Sequence, residues 1–191
     1  MNLINNIGMA TVVAASLVSI HSQADEYFIT SGGLTEINST TLGPGAVTID
    51  PAPTGFDAGV LEIDISGSTV TLVSGSAELS DFVATLQPSG FTPTTVDVVD
   101  TLIEVQNGAT GTLSGLTVTL TSSGTPPSVT TDANFQNCSG VLCLLIPFLD
   151  LDLATYTFDI TFSSDFSSFT GVLHGTTANN STMEIEVQGS L

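Results

Sequence analysis

The sequence predicts a mainly β protein: a single antiparallel β-sandwich, with a closed β-barrel as the alternative, and one short amphipathic helix near residues 77–87. Three observations carry this expectation. Apolar and polar residues alternate with period 2 through segments rich in Val, Ile, Thr and Phe, the pattern of a strand with one buried face. Short Ser/Gly and Asn/Asn stretches sit between those segments and read as turns. Gly- and Pro-rich loops at 43–55, 87–94 and 122–133 suit a sandwich or barrel with elaborated ends better than a repeat array.

Taken in order, residues 58–66 alternate Leu61, Ile63 and Ile65 with Glu62 and Asp64, and residues 69–74 set Val70 and Leu72 against Thr69 and Thr71. Ser66-Gly67-Ser68 joins them as a hairpin turn, Gly supplying a positive φ. Residues 77–87 break the pattern. Leu79, Phe82, Val83 and Leu86 fall at i, i+3, i+4 and i+7, Ser76 can cap the start and Pro88 ends it, so a helix is expected there. Residues 96–105, with apolar residues on both faces, read as a central strand. A second hairpin follows with Ser114-Gly115-Leu116 as its turn. Within 66–76 and 114–124 the same pattern recurs, Ser-Gly-x-Thr-Val-Thr-Leu-x-Ser. Residues 154–163 form the clearest strand, with Ala154, Tyr156, Phe158, Ile160 and Phe162 on one side. Residues 169–174 and 182–188 form the closing hairpin around Asn179-Asn180.

Charge excludes whole classes of partner. The chain has 191 residues, no Lys or Arg, 19 Asp plus Glu, and a formal charge of −19. Binding a nucleic-acid backbone requires Lys or Arg to displace counterions, so no nucleic acid is expected as a partner. An anionic membrane surface is excluded on the same ground. Mean hydropathy is +0.42, ample for a folded core. The acids must repel one another at low salt, and trypsin-like proteases find no site to cut.

The N-terminus reads as an export signal. Residues 7–20 are mostly apolar but too short to span a bilayer. Ser22-Gln23-Ala24 supplies small residues at −3 and −1, predicting cleavage after Ala24. Residues 1–6 depart from the usual pattern in having no basic residue. The expected organisation is a signal peptide, 1–24, and one acidic β domain, 25–191, that is secreted, periplasmic or on the cell surface. Cys138 and Cys143 are the only cysteines, and in an oxidising compartment a local disulfide is expected between them.

Candidate chemistry is sparse. Residues 25–191 hold one histidine, His174, and no Gly-x-Ser-x-Gly elbow, so nucleophilic hydrolysis lacks its base and no catalytic residue is assigned. Acid pairs leave glycoside hydrolysis open by residue type, but with no Trp and two Tyr the chain is poor in the rings that stack on sugars. The pairs Glu62/Asp64, Asp150/Asp152 and Glu184/Glu186 each project from one strand face, and their oxygens suit calcium, bound at least loosely as a counterion. No other cofactor is expected. Thr-x-Thr recurs at Thr69/Thr71, Thr117/Thr119/Thr121 and Thr155/Thr157. Such ladders resemble, in local motif only, the surfaces of ice-binding proteins. Residues 141–149, VLCLLIPFL, are the most apolar stretch and read as a core strand. Leu144, Leu145, Ile146 and Phe148 there, with Phe158 and Phe162, would form an apolar contact or line a cavity, joined by Ile160 and Phe169 in a ligand-binding barrel. Asn38-Ser39-Thr40, Asn137-Cys138-Ser139 and Asn180-Ser181-Thr182 are glycosylation sequons.

The leading expectation is thus an exported, non-catalytic, acidic β protein with a structural or interaction role, meeting other surface or matrix components. The alternative is an extracellular barrel that binds a small apolar ligand. A calcium- or crystal-surface-binding module and a carboxylate-based glycosidase rank below both.

Overall fold

The computed structural model describes residues 24–148 and 151–191, apart from the side chains of Leu145, Pro147 and Phe148. The expected signal peptide lies outside the described residues except for Ala24. The strands are β1 (Asp25–Asn38), β2 (Val47–Asp50), β3 (Phe56–Ser66), β4 (Thr69–Leu79), β5 (Phe82–Leu86), β6 (Thr94–Val105), β7 (Ala109–Thr112), β8 (Thr117–Ser122), β9 (Val129–Ser139), β10 (Leu153–Phe162), β11 (Ser168–Thr177) and β12 (Thr182–Ser190).

Eight strands close an antiparallel barrel in the order β1-β3-β4-β7-β8-β10-β11-β12, with β12 returning to β1. Of the two architectures the sequence allowed, this is the barrel. The wall between β4 and β10 is built from two pieces. At one end Thr69–Leu72 of β4 pairs with β7, and β8 pairs with residues 157–161 of β10. At the other end residues 76–79 of β4 pair with β6, and β9 meets β10 at Leu153. Beyond β6 the sheet continues through β5 to β2, folding a flap over that end.

The repeated nine-residue pattern makes the same structure twice. Gly67 (φ +63°) and Gly115 (φ +66°) take the positive φ of the two hairpin turns. Val70 and Leu72 in one copy, and Val118 and Leu120 in the other, point into the core. The copies flank β7, which pairs with Thr69–Leu72 of β4 on one side and with Thr121 and Ser122 of β8 on the other.

The core is apolar and the outer face carries hydroxyls and carboxylates, the reverse of a membrane barrel. Tyr27, Phe158, Phe162 and Phe169 form an aromatic cluster, Tyr27 and Phe169 meeting edge-on with centroids 5.5 Å apart. Tyr27 Oη donates to Phe166 O at 2.7 Å, so the ring is buried with its polar tip satisfied. Gly171 makes room for this cluster, since a Cβ there would stand 2.6 Å from Phe158 Cε2.

Two sequence expectations are corrected. Residues 77–87 are not a helix: β4 runs on to Leu79, residues 80–81 turn, and Phe82–Leu86 is strand β5. Phe82, Ala84 and Leu86 are buried while Val83 and Thr85 are half-buried. The alternating set therefore includes Ala84, which the helical reading ignored, and β5 gains ladders to both β2 and β6. Secondly, the core strand expected over 141–149 is not formed by its described part, residues 141–148. Val141–Phe148 is a 3-10 helix. Cys138 and Cys143, 5.7 Å apart at Cα, tie its first turn to the end of β9, and Thr94 Oγ1 accepts from Leu142 N at 3.2 Å. Strand β2 also lies within a stretch expected to be loop.

One irregularity in β6 positions the site. Thr94, Val96 and Val98 are buried on one face, so period 2 would next bury Asp100. Instead Asp100 takes φ +52°, the pairing with β9 slips between Val99 and Leu102, and Thr101 turns inward in its place. A bulge spares the fold an unpaired buried carboxylate.

Candidate functional site

The flap and the barrel enclose an apolar cleft of about 150 Å³. Phe82, Ala84 and Leu86 of β5 and Val96 and Val98 of β6 form one wall, all inward residues of alternating strands. Ile37 at the end of β1 and Met183 at the start of β12 form the other, with Leu42 from the segment before the flap and Val47 from the first residue of β2. The mouth is polar. Asn179 Oδ1 accepts from Thr177 Oγ1 and, at 3.1 Å, from Ser181 N. Thr40 N donates to Ser181 Oγ at 3.2 Å, and Leu42 N to Ser39 Oγ at 3.2 Å. Among the described residues, no Asp, Glu or His lines the cleft.

Deeper in, a chamber of about 20 Å³ shares Ile37, Phe82, Val98, Leu151 and Met183 with the cleft. Thr101 lines it. That side chain is 4 % exposed, and its Oγ1 has no hydrogen-bond partner among the described residues. Leaving a buried hydroxyl unpaired costs about 1–3 kcal/mol, so the group stands apart from the buried hydroxyls of Thr54, Thr94, Ser128 and Thr177, which are all hydrogen-bonded. The chamber exceeds the ~10–15 Å³ that one water needs.

A larger concavity, about 690 Å³, lies on the outer face of β8, β10, β11 and β12. It is an open polar groove, lined by Thr117, Thr119, Asp159, Thr161, Thr170 and Glu186 among others. Thr119 Oγ1 donates to Asp159 Oδ1, and a row of register partners, Thr71, Thr110, Thr121 and Thr157, crosses β4, β7, β8 and β10 beside it. The threonines flagged by the sequence are therefore gathered on one outer wall. Its openness to water makes it a weaker ligand trap than the apolar cleft.

The remaining sequence candidates are scattered. Phe158 and Phe162 are packed in the aromatic cluster at 1 % and 2 % exposure and do not line the cleft. Ile146 is buried, whereas Leu144 is exposed on the 3-10 helix with Val141. The side chains of Leu145 and Phe148, and the whole of Asp150, lie outside the described residues. Asp152 Oδ1 accepts from Thr131 N at 2.8 Å. On β3, Glu62 Oε2 accepts from Ser74 Oγ at 2.9 Å, and Asp64 Oδ1 is buried with no hydrogen-bond partner among the described residues. Among the described residues no three His, Cys, Asp or Glu side chains converge as a metal site would require. His174 sits on the open face with Nδ1 3.4 Å from Glu184 Oε2.

Sequence reasoning missed the cleft, whose walls come from β1, β5, β6 and β12. The available signal was Ala84 between Phe82 and Leu86, which read as a strand turns three residues to one face. No protein-family model, curated protein or solved structure matches the chain.

Proposed function

We propose that this is an exported, non-catalytic binding module: a rigid acidic barrel that holds a small apolar ligand in the cleft beneath its β2–β5 flap. The apolar cleft with its polar mouth carries the reading. Concave, mostly hydrocarbon sites with a few placed polar groups are where proteins hold small molecules, and the sequence has neither a Gly-x-Ser-x-Gly elbow nor any Lys or Arg to hold a phosphoryl group. Export rests on residues 1–24. Cleavage after Ala24 would keep β1 whole, since its first residue, Asp25, pairs with Ile63.

Two measurements test this reading. Intact mass of protein from the medium or periplasm should give a chain starting at Asp25, and a mature species keeping Met1 would overturn the export. Calorimetry with benzene or toluene should show saturable binding that Ala84→Phe abolishes by filling the cleft. Binding undiminished in that variant would place the site elsewhere.

A second reading uses the outer wall. Four threonines in register on neighbouring strands repeat at about 4.8 Å across the sheet, a spacing suited to contact with an ordered surface such as ice or a mineral. Thr121→Lys, in the middle of that row, should abolish adsorption to ice or mineral if the row makes the contact. An unchanged Thr121→Lys variant would remove this reading.

A further inference from the structure

We propose that the ligand is a small neutral molecule with one hydroxyl or carbonyl oxygen on an apolar body, bound oxygen inward against Thr101 Oγ1. This rests on the binding reading above and adds the ligand's class and orientation. Thr101 is inward because Asp100 adopts φ +52° and shifts the phase of β6. The result is a hydroxyl on a residue only 4 % exposed, unpartnered among the described residues, in a chamber separated from the cleft only by side chains that line both. A hydroxyl both donates and accepts, so it can meet either an alcohol or a carbonyl. The side chains between cleft and chamber include Met183, whose unbranched thioether shifts rotamer readily.

Volume and charge narrow the class further. A cavity of about 150 Å³ holds a molecule of roughly benzene size, which excludes long acyl chains. The chain has no Lys or Arg, so a carboxylate driven inward would be desolvated with no cation to meet it, and it would approach through the field of 19 acids. The ligand is therefore an uncharged alcohol, ketone or ester rather than a fatty acid.

The experiment compares toluene, benzyl alcohol and benzoate on the chain spanning residues 25–191, by calorimetry and by the Met183 methyl resonance. Benzyl alcohol should bind at least as tightly as toluene despite its higher cost of leaving water, and benzoate at least about tenfold more weakly than either. Thr101→Val, which keeps the side-chain shape, should weaken benzyl alcohol about tenfold and leave toluene unchanged or tighter. Thr101→Ser should restore the alcohol. Equal effects of Thr101→Val on both neutral probes, or benzoate binding as tightly as the alcohol, would overturn the proposal. In that case toluene binding that Ala84→Phe abolishes would leave the binding reading standing. Failure of all three probes would remove both.

Discussion

Asp100 N donates to Asp81 Oδ1 across 3.3 Å, so the turn between β4 and β5 holds the bulge in β6. The Asp100 carboxylate in turn accepts from Asn134 Nδ2 of β9 at 3.4 Å. Between them these contacts fix the residue whose positive φ turns Thr101 into the core. Asp is among the few residues with a side chain that tolerate this conformation. Asp100→Gly should therefore leave stability within about 1 kcal/mol of the parent, relief of the backbone offsetting the lost contacts. Asp100→Val should lose about 1–3 kcal/mol. Urea titration of both variants measures the difference, and equal midpoints would mean that φ at this position carries no strain.

Much of the barrel was legible because its strands alternate strictly. Tyr156, Phe158, Ile160 and Phe162 on β10 could only be a core wall, and Gly67 and Gly115 marked their turns. Two kinds of feature were hidden. Residues 77–87 fit two patterns, Leu79, Phe82, Val83 and Leu86 at a helical period and Phe82, Ala84 and Leu86 at a strand period, and pairing with β2 and β6 decided between them. The bulge at Asp100 left one local mark, a carboxylate on the phase that buries Val96 and Val98, but residues 96–105 carry apolar side chains on both faces and so obscure it. The cleft depends on that bulge and on strands distant in sequence, so no single segment displays it.

Alkaline pH should unfold the domain in a defined window. Burial, helped by the nearby Asp25 carboxylate, pushes the Tyr27 phenol up from 10.0 to about 12, and burial does the same to Tyr156. The folded state therefore favours the neutral, protonated phenols. Their contribution is complete below pH 10 and is lost as pH rises through 12. Circular dichroism against pH should show a transition between pH 10 and 12. Tyr156→Phe should move it upward, because one ionisation that opposes folding is gone. A transition below pH 9 would contradict these buried phenols.

The Cys138–Cys143 disulfide closes a short loop, and short loops remove little entropy from the unfolded chain. Joint replacement by Ser should cost no more than about 3 kcal/mol and leave the barrel intact. Thiol labelling of the native protein should find no free cysteine. Quantitative labelling before denaturation would contradict the bond.

With −19 and no bases, the folded chain concentrates repulsion that the expanded chain partly escapes. The melting temperature should rise between millimolar NaCl and 0.2 M, where the Debye length is about 8 Å or less. Calcium at matched ionic strength should give the same melting temperature if the acid pairs act only as counterion-binding surface. A further rise abolished by Asp150→Asn with Asp152→Asn would instead assign a calcium site to that pair.

The central claim, a ligand-sized apolar cleft beneath the flap, is tested most directly by diffraction from a crystal held under xenon. Xenon enters apolar cavities of this size without needing a polar partner. The account predicts a xenon atom between Phe82, Val98 and Met183, lost in Ala84→Phe. A flap collapsed onto those side chains, with no xenon bound there, would contradict it.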